Sequence, residues 1–564
     1  MNKLYFGDNL EILRGPEIEP ASVDLVYLDP PFNSQAQYNV LFSSPRDTSS
    51  AQAGAFVDTW SWGEESELCF QDAMKLGTGV SRFLDALRSA LNESDLMAYL
   101  AMMAVRLDAL REKLKPSGSL FLHCDPTASH YLKVLLDGIF GPRNFKNEIV
   151  WRRSHPKGHA FTRFATSHDV IFYYAKDPKH SVWNQLYTPH DPENAAKQYS
   201  LKDLDGRRYQ LTSLLNPNND RPNLTYEFLG ATKVWRWTKS RMEDEYAKGR
   251  IIVPKEGTGI PRYKRYLDEQ EGIPIGDFWD DIGIAAGKER TGYPTQKPVA
   301  LMTRIIDAAS RKGDVILDPF CGCGTTIEAA ELAGRQWIGI DVAIHAIKVI
   351  EIRLADRFGE KVKFKTAGIP RDFDSAERLA RDNKYQFQWW ANYLFNPHAL
   401  REQKKGKDRG VDGDVFFPNG PGRPWGRMLT SVKGGDNVGP AMVRDFAHVL
   451  DREKAEMGLF ICLKKPTREM AREASGCGIA KTIHGDIPKL QIVAIEDWFA
   501  GKFPKLPPLE HLPSAAFTTA RRRMPVAGKR ADPEQPELPL SFTGGSIAKQ
   551  SVVHFNPHMV RSVA

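Results

Sequence analysis

Val23-Asp24-Leu25-Val26-Tyr27-Leu28 leads without a break into Asp29-Pro30-Pro31-Phe32-Asn33. The first six residues are β-rich and almost wholly apolar, the pattern of a strand buried on both faces of a parallel sheet. Two prolines cannot continue a central strand, because neither has an N–H to give to the ladder. The strand therefore ends at Leu28 and leaves a carboxylate and an aromatic ring at its C-terminal end. Open α/β sheets place their ligands at that edge. Taken alone, the run also fits a strand closed by a rigid turn with a capping aspartate.

Its neighbours add weight. Gly7-Asp8-Asn9, followed by Leu10 and Leu13, reads as another loop entering a helix on the same sheet. Leu96, Leu100, Met103, Leu107, Leu110 and Leu114 recur in steps of three and four and predict a helix over 95–114. The methionines are read as core. Lys115-Pro116-Ser117-Gly118 ends that helix. Residues 119–124 (SLFLHC) form the next candidate buried strand, with Asp125 at its ligand edge.

A second set of short strands lies far along the chain. Residues 314–317 (DVIL) run into Asp318-Pro319-Phe320-Cys321-Gly322-Cys323-Gly324-Thr325-Thr326, after which Ile327, Ala330 and Leu332 mark a helix. Glycines at 322 and 324 let the backbone turn tightly and approach a ligand. The helix start offers free N–H groups and positive potential. Residues 337–340 form another strand, ending at Asp341, 19 residues after Gly322. That spacing suits an acid reaching ribose hydroxyls. A third glycine and a Walker lysine are both missing, which favours an adenosyl group without phosphates. Cys321 and Cys323 have no second cysteine pair nearby and are not read as metal ligands. Gly292-Tyr293-Pro294-Thr295-Gln296-Lys297-Pro298 precedes a helix from about 299 to 309 and puts polar groups beside the glycine loop.

The chain has 564 residues, enough for two to four domains. With 41% hydrophobic and 26% charged residues it is globular in composition, and a net charge of +7 says little about partners. Six cysteines make no disulfide scaffold and suit a reducing compartment. The first eight residues turn polar, unlike a secretory signal, and no apolar run reaches the ~18 residues of a spanning helix. Cytoplasm and no membrane partner are expected.

Between the two sets of strands, Trp151-Arg152-Arg153 leads to His155, Lys157, His159, Arg163 and His168, and residues 171–174 read as a strand. Trp235, Arg236, Trp237, Lys239 and Arg241 interleave bases and aromatics, as do Arg262, Tyr263, Lys264, Arg265 and Tyr266. Cations can hold phosphates while rings wedge or stack. A solvated basic face with core tryptophans is the plainer reading, and no standard DNA-binding helix motif is present.

Together these motifs resemble the β group of amino-methylating DNA methyltransferases, including the modification subunits of type III restriction systems. The resemblance covers about 1–365, with the motifs in the family's order. It implies an α/β fold: a mainly parallel, seven-stranded Rossmann-like sheet with a target-recognition insertion. Asp29, Pro30, Pro31 and Phe32 match the catalytic motif. Asp318, Phe320, Gly322, Gly324 and Thr325 match the cofactor loop, Asp341 the ribose-binding acid, and Thr295 and Lys297 the segment lining the methionine end. The implied cofactor is S-adenosyl-L-methionine and the implied partner double-stranded DNA. Phe32 stands where tyrosine is commoner, keeping the stacking face. Aspartate rather than serine at position 29 leans towards adenine N6, with cytosine N4 the alternative. Arg152, Arg153, Trp235, Arg236, Lys239 and Arg241 become candidate DNA contacts. A DNA-binding protein with a spent core is a third reading, opposed by the intact Asp29 and glycine loop.

The apolar pattern resumes at Phe387-Gln388-Trp389-Trp390. A basic, glycine-rich turn over 404–410 then leads to Val411-Asp412-Gly413, with strands expected near 415–417 and 428–432. Ser431-Val432-Lys433-Gly434-Gly435 closes the second of these strands. This block resembles the Mrr-like branch of restriction-endonuclease folds and implies a second α/β domain. Asp412 would be the metal-binding acid, Lys433 the catalytic lysine, and Mg²⁺ the metal. Ser431 occupies the position of the usual second acidic or amide ligand, and a hydroxyl binds divalent metals poorly. No glutamate is evident on the first helix, so a DNA-binding or degenerate nuclease domain stays open beside a cutting one.

The resulting division is 1–150 (catalytic half), 151–290 (insertion), 291–365 (cofactor half), 366–380 (linker), 381–512 (nuclease-like domain) and 513–564 (basic tail). A homodimer and a restriction-system partner both stay open.

Overall fold

A computed structural model describes residues 1–31, 37–42, 51–57, 62–155, 162, 164–253, 259–291, 293, 295–395, 411–419 and 425–507. The strands Gln37–Phe42 and Ala51–Val57 are described in backbone only. Phe32, Lys157, His159, Arg163, Gly292, Pro294, the turn at 404–410 and the basic tail fall outside the described residues.

Nine strands form one large sheet, two more than expected. Their order is Phe278–Trp279, Phe145–Arg152, His168–Ala175, Leu114–Cys124, Val23–Leu28, Val315–Asp318, Gln336–Asp341, Asn2–Phe6 and Phe364–Ala367. Only His168–Ala175 runs antiparallel to its neighbours. The additional strands sit at the two edges. Phe278–Trp279 is the end of the insertion returning to pair with Phe145–Arg152. Phe364–Ala367 pairs with Asn2–Phe6.

The centre follows from the sequence pattern. All six residues of Val23–Leu28 are buried, and they alternate between two apolar layers. Leu25 and Tyr27 join one cluster with Phe121 and the helices Val299–Ala309, Thr325–Leu332 and Ile344–Phe358. Val26 and Leu28 join the other with Leu120, Leu122 and the helix Asp95–Lys113. That period of two, buried on both sides, explains the unbroken apolar run. Met97, Met102 and Met103 lie in the second cluster.

Leu25 stands opposite Ile316, Asp318 opposite Gly339 and Phe6 opposite Asp341. Four parallel strands therefore end along one edge, and their following residues are Asp29, Pro319, Val342 and Gly7. Chain segments from both ends of the insertion meet at the middle of the sheet.

The insertion has its own small core of Leu214, Phe228, Trp235, Met242 and Ile251. Around it stand a four-stranded antiparallel sheet, the hairpin Thr225–Phe228/Ala231–Val234 and the helix Lys239–Ala247. The expectation that Trp235 contacts DNA is corrected here. Its ring is fully buried, and its Nε1–H donates to the Tyr226 carbonyl at 2.8 Å.

The segment joining the large sheet to the third block contains the helix Phe373–Asp382, capped by Asp372. Ala376 and Ala380 of this helix, Phe387 and Trp390 of the next, and Val415, Phe417 and Val432 belong to the same apolar cluster as Ile316 and Trp337. The third block is a four-stranded sheet in the order Gly413–Pro418, Trp425–Lys433, Met457–Cys462, Leu490–Ala494. Its first pair is antiparallel and the rest parallel. This small mixed sheet does not by itself establish an endonuclease fold. Among the described residues, no helix is long and apolar enough to cross a membrane.

Candidate active site at the centre of the large sheet

Asp29 leaves its strand beside Val315–Asp318 and meets Lys297, 268 positions away in sequence. The Lys297 ammonium donates to Asp29 Oδ2, and both side chains are largely buried. Asp29 Oδ1 is also buried and has no hydrogen-bond partner among the described residues. One carboxylate oxygen is thus held by a cation while the other is left to accept from something else. Pro30 is buried and Pro31 partly so, which fixes the backbone that presents Asp29.

The glycine loop follows Val315–Asp318. Gly322 and Gly324 have φ of +49° and +76°, in the left-handed region that side chains disfavour. A Cβ on Gly324 would stand 2.7 Å from Ile350 Cγ1, and one on Gly322 would lie 3.5 Å from the Tyr293 ring. Asp341 closes over the loop: its Oδ2 accepts from the Gly322 N–H at 2.8 Å and its Oδ1 from the Ala343 N–H at 2.8 Å. Across the sheet, Asn9 Nδ2 donates to the Pro319 carbonyl at 2.8 Å. Asn9 in turn accepts from Arg106 Nε at 2.7 Å, and Arg106 Nη2 reaches Asp8 Oδ2 at 2.9 Å. Asp318 Oδ1 accepts from the Phe320 N–H at 3.0 Å.

The loop that precedes the helix Val299–Ala309 is tied inwardly. Gln296 Oε1 accepts from Thr291 N and Oγ1, each at 2.7 Å, and its Nε2 donates to the Glu289 carbonyl at 2.8 Å. These bonds set Lys297 against Asp29 and Tyr293 against Gly322. Thr295 is only partly buried on the same loop. Thr325 opens the helix after the glycine loop and is itself buried.

Two acids here are strongly perturbed. Burial pushes Asp318 up to about 7, with nearby Asp29 and Asp341 adding to the rise against hydrogen bonds from Thr326 and Phe320. Burial also pushes Asp341 up to about 6, opposed by the Ala343 and Gly322 N–H groups. Both folded values exceed the unfolded carboxylate value of ~4. The native chain therefore binds more protons than the unfolded chain between those values, and stability from these groups is lost as pH rises through 6 to 7. Asp341→Asn should flatten the fall in melting temperature between about pH 4 and 6. Parallel melting curves for variant and parent would refute the assignment.

Beside Asp29, from the strand Val23–Leu28, runs a buried polar chain that the sequence does not announce. Tyr27 Oη bonds His123 Nδ1 at 3.0 Å, His123 Nε2 bonds Asp169 Oδ2 at 3.2 Å, and Arg153 Nε lies 3.1 Å from Asp169 Oδ1. Burial, aided by the Lys297 charge, holds His123 below its usual range. The Asp169 partnership then sets the tautomer: Nε2 carries the proton, and Nδ1 accepts from the tyrosine. Nothing in the run SLFLHC distinguishes a buried histidine of this kind from a surface one.

Of the candidate DNA contacts, Arg153 is engaged with Asp169, and Arg152 donates to the Asp280 carbonyl at 3.2 Å. Arg236, Lys239 and Arg241 are exposed on the insertion, with Arg241 stacked 4.3 Å over Trp237. Asp125 caps its own turn, accepting from Thr127 N and Oγ1.

In the third block, Asp412, Ser431 and Lys433 do come together, joined by Gln388 of the helix Lys384–Phe395. Asp412 Oδ1 accepts from Gln388 Nε2 at 2.6 Å. Its Oδ2 accepts from Val432 N at 2.6 Å and Ser431 Oγ at 3.3 Å, with Lys433 Nζ at 3.8 Å. A single carboxylate whose two oxygens already accept from amide, hydroxyl and backbone donors is a poor fit for Mg²⁺, which takes oxygen ligands and favours carboxylates. No group of three or more His, Cys, Asp or Glu that could hold a metal exists among the described residues. The Mg²⁺ expectation is not supported.

A family model described as DNA methylase, of the N6/N4 type, matches residues 23–351. The type II methyltransferase M.EcaI of Enterobacter cloacae is 36% identical over 264 residues, covering 46% of this chain and 58% of that protein. The StyLTI Mod subunit, a type III restriction-modification protein of Salmonella typhimurium, is 25% identical over 345 residues, covering 58% of this chain and 49% of that one. The chain thus spans about half the length of these curated relatives. TTHA0409 of Thermus thermophilus, a solved putative DNA modification methylase, aligns over 65% of this chain and 99% of its own, at 16% identity and a TM-score of 0.32, too low to carry an argument. The match over 23–351 embraces Asp29, Lys297, the glycine loop and Asp341, and on it the chain belongs to the N6/N4 DNA methylase family.

Proposed function

We propose that the chain transfers a methyl group from S-adenosylmethionine to the exocyclic amino nitrogen of a base in double-stranded DNA. The observation that carries this reading is Asp29: one oxygen paired with Lys297, the other buried and without a partner among the described residues, beside a glycine loop closed by an acid.

The glycine loop, the start of the helix Thr325–Leu332 and Asp341 suit an adenosyl group. The backbone is bare at Gly322, and the acid stands where ribose hydroxyls would donate. No cation is needed there for phosphates. S-adenosylmethionine, when bound, supplies a sulfonium methyl already activated for transfer. The protein's part is then to improve and aim a poor nucleophile, since the amino lone pair is delocalised into the base. Asp29 Oδ1 accepts one amino N–H and the Pro30 carbonyl the other, which favours a pyramidal nitrogen with its lone pair directed at the methyl. Lys297 is the counter-charge that holds the other carboxylate oxygen, and an ionised carboxylate is an acceptor only. Orientation and exclusion of water supply much of the remaining acceleration. A base inside a duplex cannot reach this edge, so it must flip out at a cost of a few kcal/mol. Phe32 is assigned by resemblance to stack on it.

Either amino group satisfies this chemistry. The family spans adenine N6 and cytosine N4, so the adenine expectation widens to amino-methylation with both bases in play. Labelled S-adenosylmethionine with mixed duplex DNA, followed by nucleoside analysis, decides between N6-methyladenine and N4-methylcytosine. Absence of label in any DNA would end the proposal.

The insertion is the DNA-reading part in this proposal. Replacing Arg236, Lys239 and Arg241 together with alanine should raise KM for DNA about tenfold and reduce the salt slope by up to about three, while kcat changes little. An unchanged salt slope would remove these residues from the phosphate contacts.

A further inference from the structure

We infer that Arg353 is a positioning residue for the cofactor loop, holding Cys323–Thr325 from beneath so that the loop is preformed for the adenosyl group. The inference rests on the proposed role of that loop and extends it to a residue outside every motif.

Arg353 lies on the helix Ile344–Phe358 and is 2% exposed. Its Nη1 donates to the Cys323 carbonyl at 2.9 Å and approaches Thr325 Oγ1 at 3.3 Å. Its Nε donates to Glu328, which is fully buried and also bonded by Arg357. Ile350 stands on the same helical face, three residues back, and is the side chain that a Cβ on Gly324 would strike. One helix face therefore sets the loop in two ways: Ile350 demands glycine at 324, and Arg353 pins the carbonyl before it.

The remaining nitrogen argues that stability alone does not explain this arginine. Arg353 Nη2 is buried and has no hydrogen-bond partner among the described residues. A buried unmet donor is costly, and a residue serving only as filler would carry fewer donors. Glu328 keeps Arg357 as a partner if Arg353 is lost, so the charge left behind is not stranded.

The test uses the full chain with adenosylhomocysteine as ligand. Two variants are made: Arg353→Lys, which keeps the charge but loses the fork, and the double variant Arg353→Met with Glu328→Gln, which removes the buried pair. We expect dissociation constants raised about tenfold in the first and further in the second. In turnover, the loss should appear in KM for S-adenosylmethionine rather than in kcat. Melting temperature without ligand should stay within a few degrees of the parent. Affinity unchanged in a folded variant overturns the inference. So does a loss of affinity that tracks a loss of melting temperature in both variants, or failure of both to fold, since each makes Arg353 a general strut. Failure of the parent to bind adenosylhomocysteine would instead overturn the cofactor reading beneath it.

Discussion

Asp29→Ala is expected to lower methyl transfer by about 10²- to 10⁴-fold, the range associated with a well-placed proton-accepting side chain, while cofactor affinity stays within a few-fold of the parent. The separation follows from the architecture. Asp29 stands on the strand Val23–Leu28, whereas the cofactor loop is held by Asp341, Asn9 and Arg353, none of which depends on the Asp29 carboxylate. Asp29→Asn is the sharper variant. It keeps size and one acceptor oxygen but presents an N–H₂ group that cannot accept from the base amine. Single-turnover transfer and adenosylhomocysteine binding, measured side by side, give the answer. Parallel loss of both would mean that Asp29 supports the cofactor loop rather than the nucleophile.

Lys297→Met should rank next, with kcat lowered about 10²-fold at neutral pH, comparable to removing one preorganised electrostatic partner in a low-dielectric site. Methionine matches much of the lysine stem, so packing against the loop is largely kept. What is lost is the counter-charge for a carboxylate buried at the end of its strand. Without it Asp29 Oδ2 also loses the donor that holds the carboxylate in place. Single-turnover transfer at saturating S-adenosylmethionine reads the loss, and a Lys297→Met enzyme that turns over like the parent would remove Lys297 from this role.

Much of this site was legible because its residues interrupt strong local patterns. Two prolines after an apolar run mark the end of a strand, and paired glycines between strand and helix mark a ligand loop. The acid 19 residues later falls at the end of the next strand. These signals are local, so their reading needs no knowledge of what packs where. The helix expected over 95–114 is observed as Asp95–Lys113 for the same reason. Trp235 shows the opposite case. Its basic and aromatic neighbours suggested a nucleic-acid surface, but just past the strand Ala231–Val234 the chain turns Trp235 inward while Arg236 stays exposed. A strand of four residues is too short for its inward and outward positions to be read in advance.

The partnerships were hidden for a different reason. Lys297 with Asp29, Arg353 with Cys323 and Gln388 with Asp412 each join segments whose approach is decided by the strand order. A single arginine on an amphipathic helix looks like a solvent-facing charge until the fold covers it. The two edge strands were likewise unreadable: Phe278–Trp279 has only two residues, and its existence depends on Phe145–Arg152 lying beside it.

The pairing of Val23–Leu28 with Val315–Asp318 also bears on the order of assembly during synthesis. The middle of the sheet cannot close until the chain beyond the insertion has been made, and such distant pairing is slow because a long loop must be closed first. Until then Val23–Leu28 has Leu114–Cys124 on one side and an open, apolar edge on the other. An uncovered edge of that kind invites pairing with another chain. The small four-stranded sheet, the hairpin Thr225–Phe228/Ala231–Val234 and the small core of the insertion pair only within it and can form while that edge waits. Asp29 therefore acquires its lysine late, so an incomplete nascent chain lacks the assembled centre.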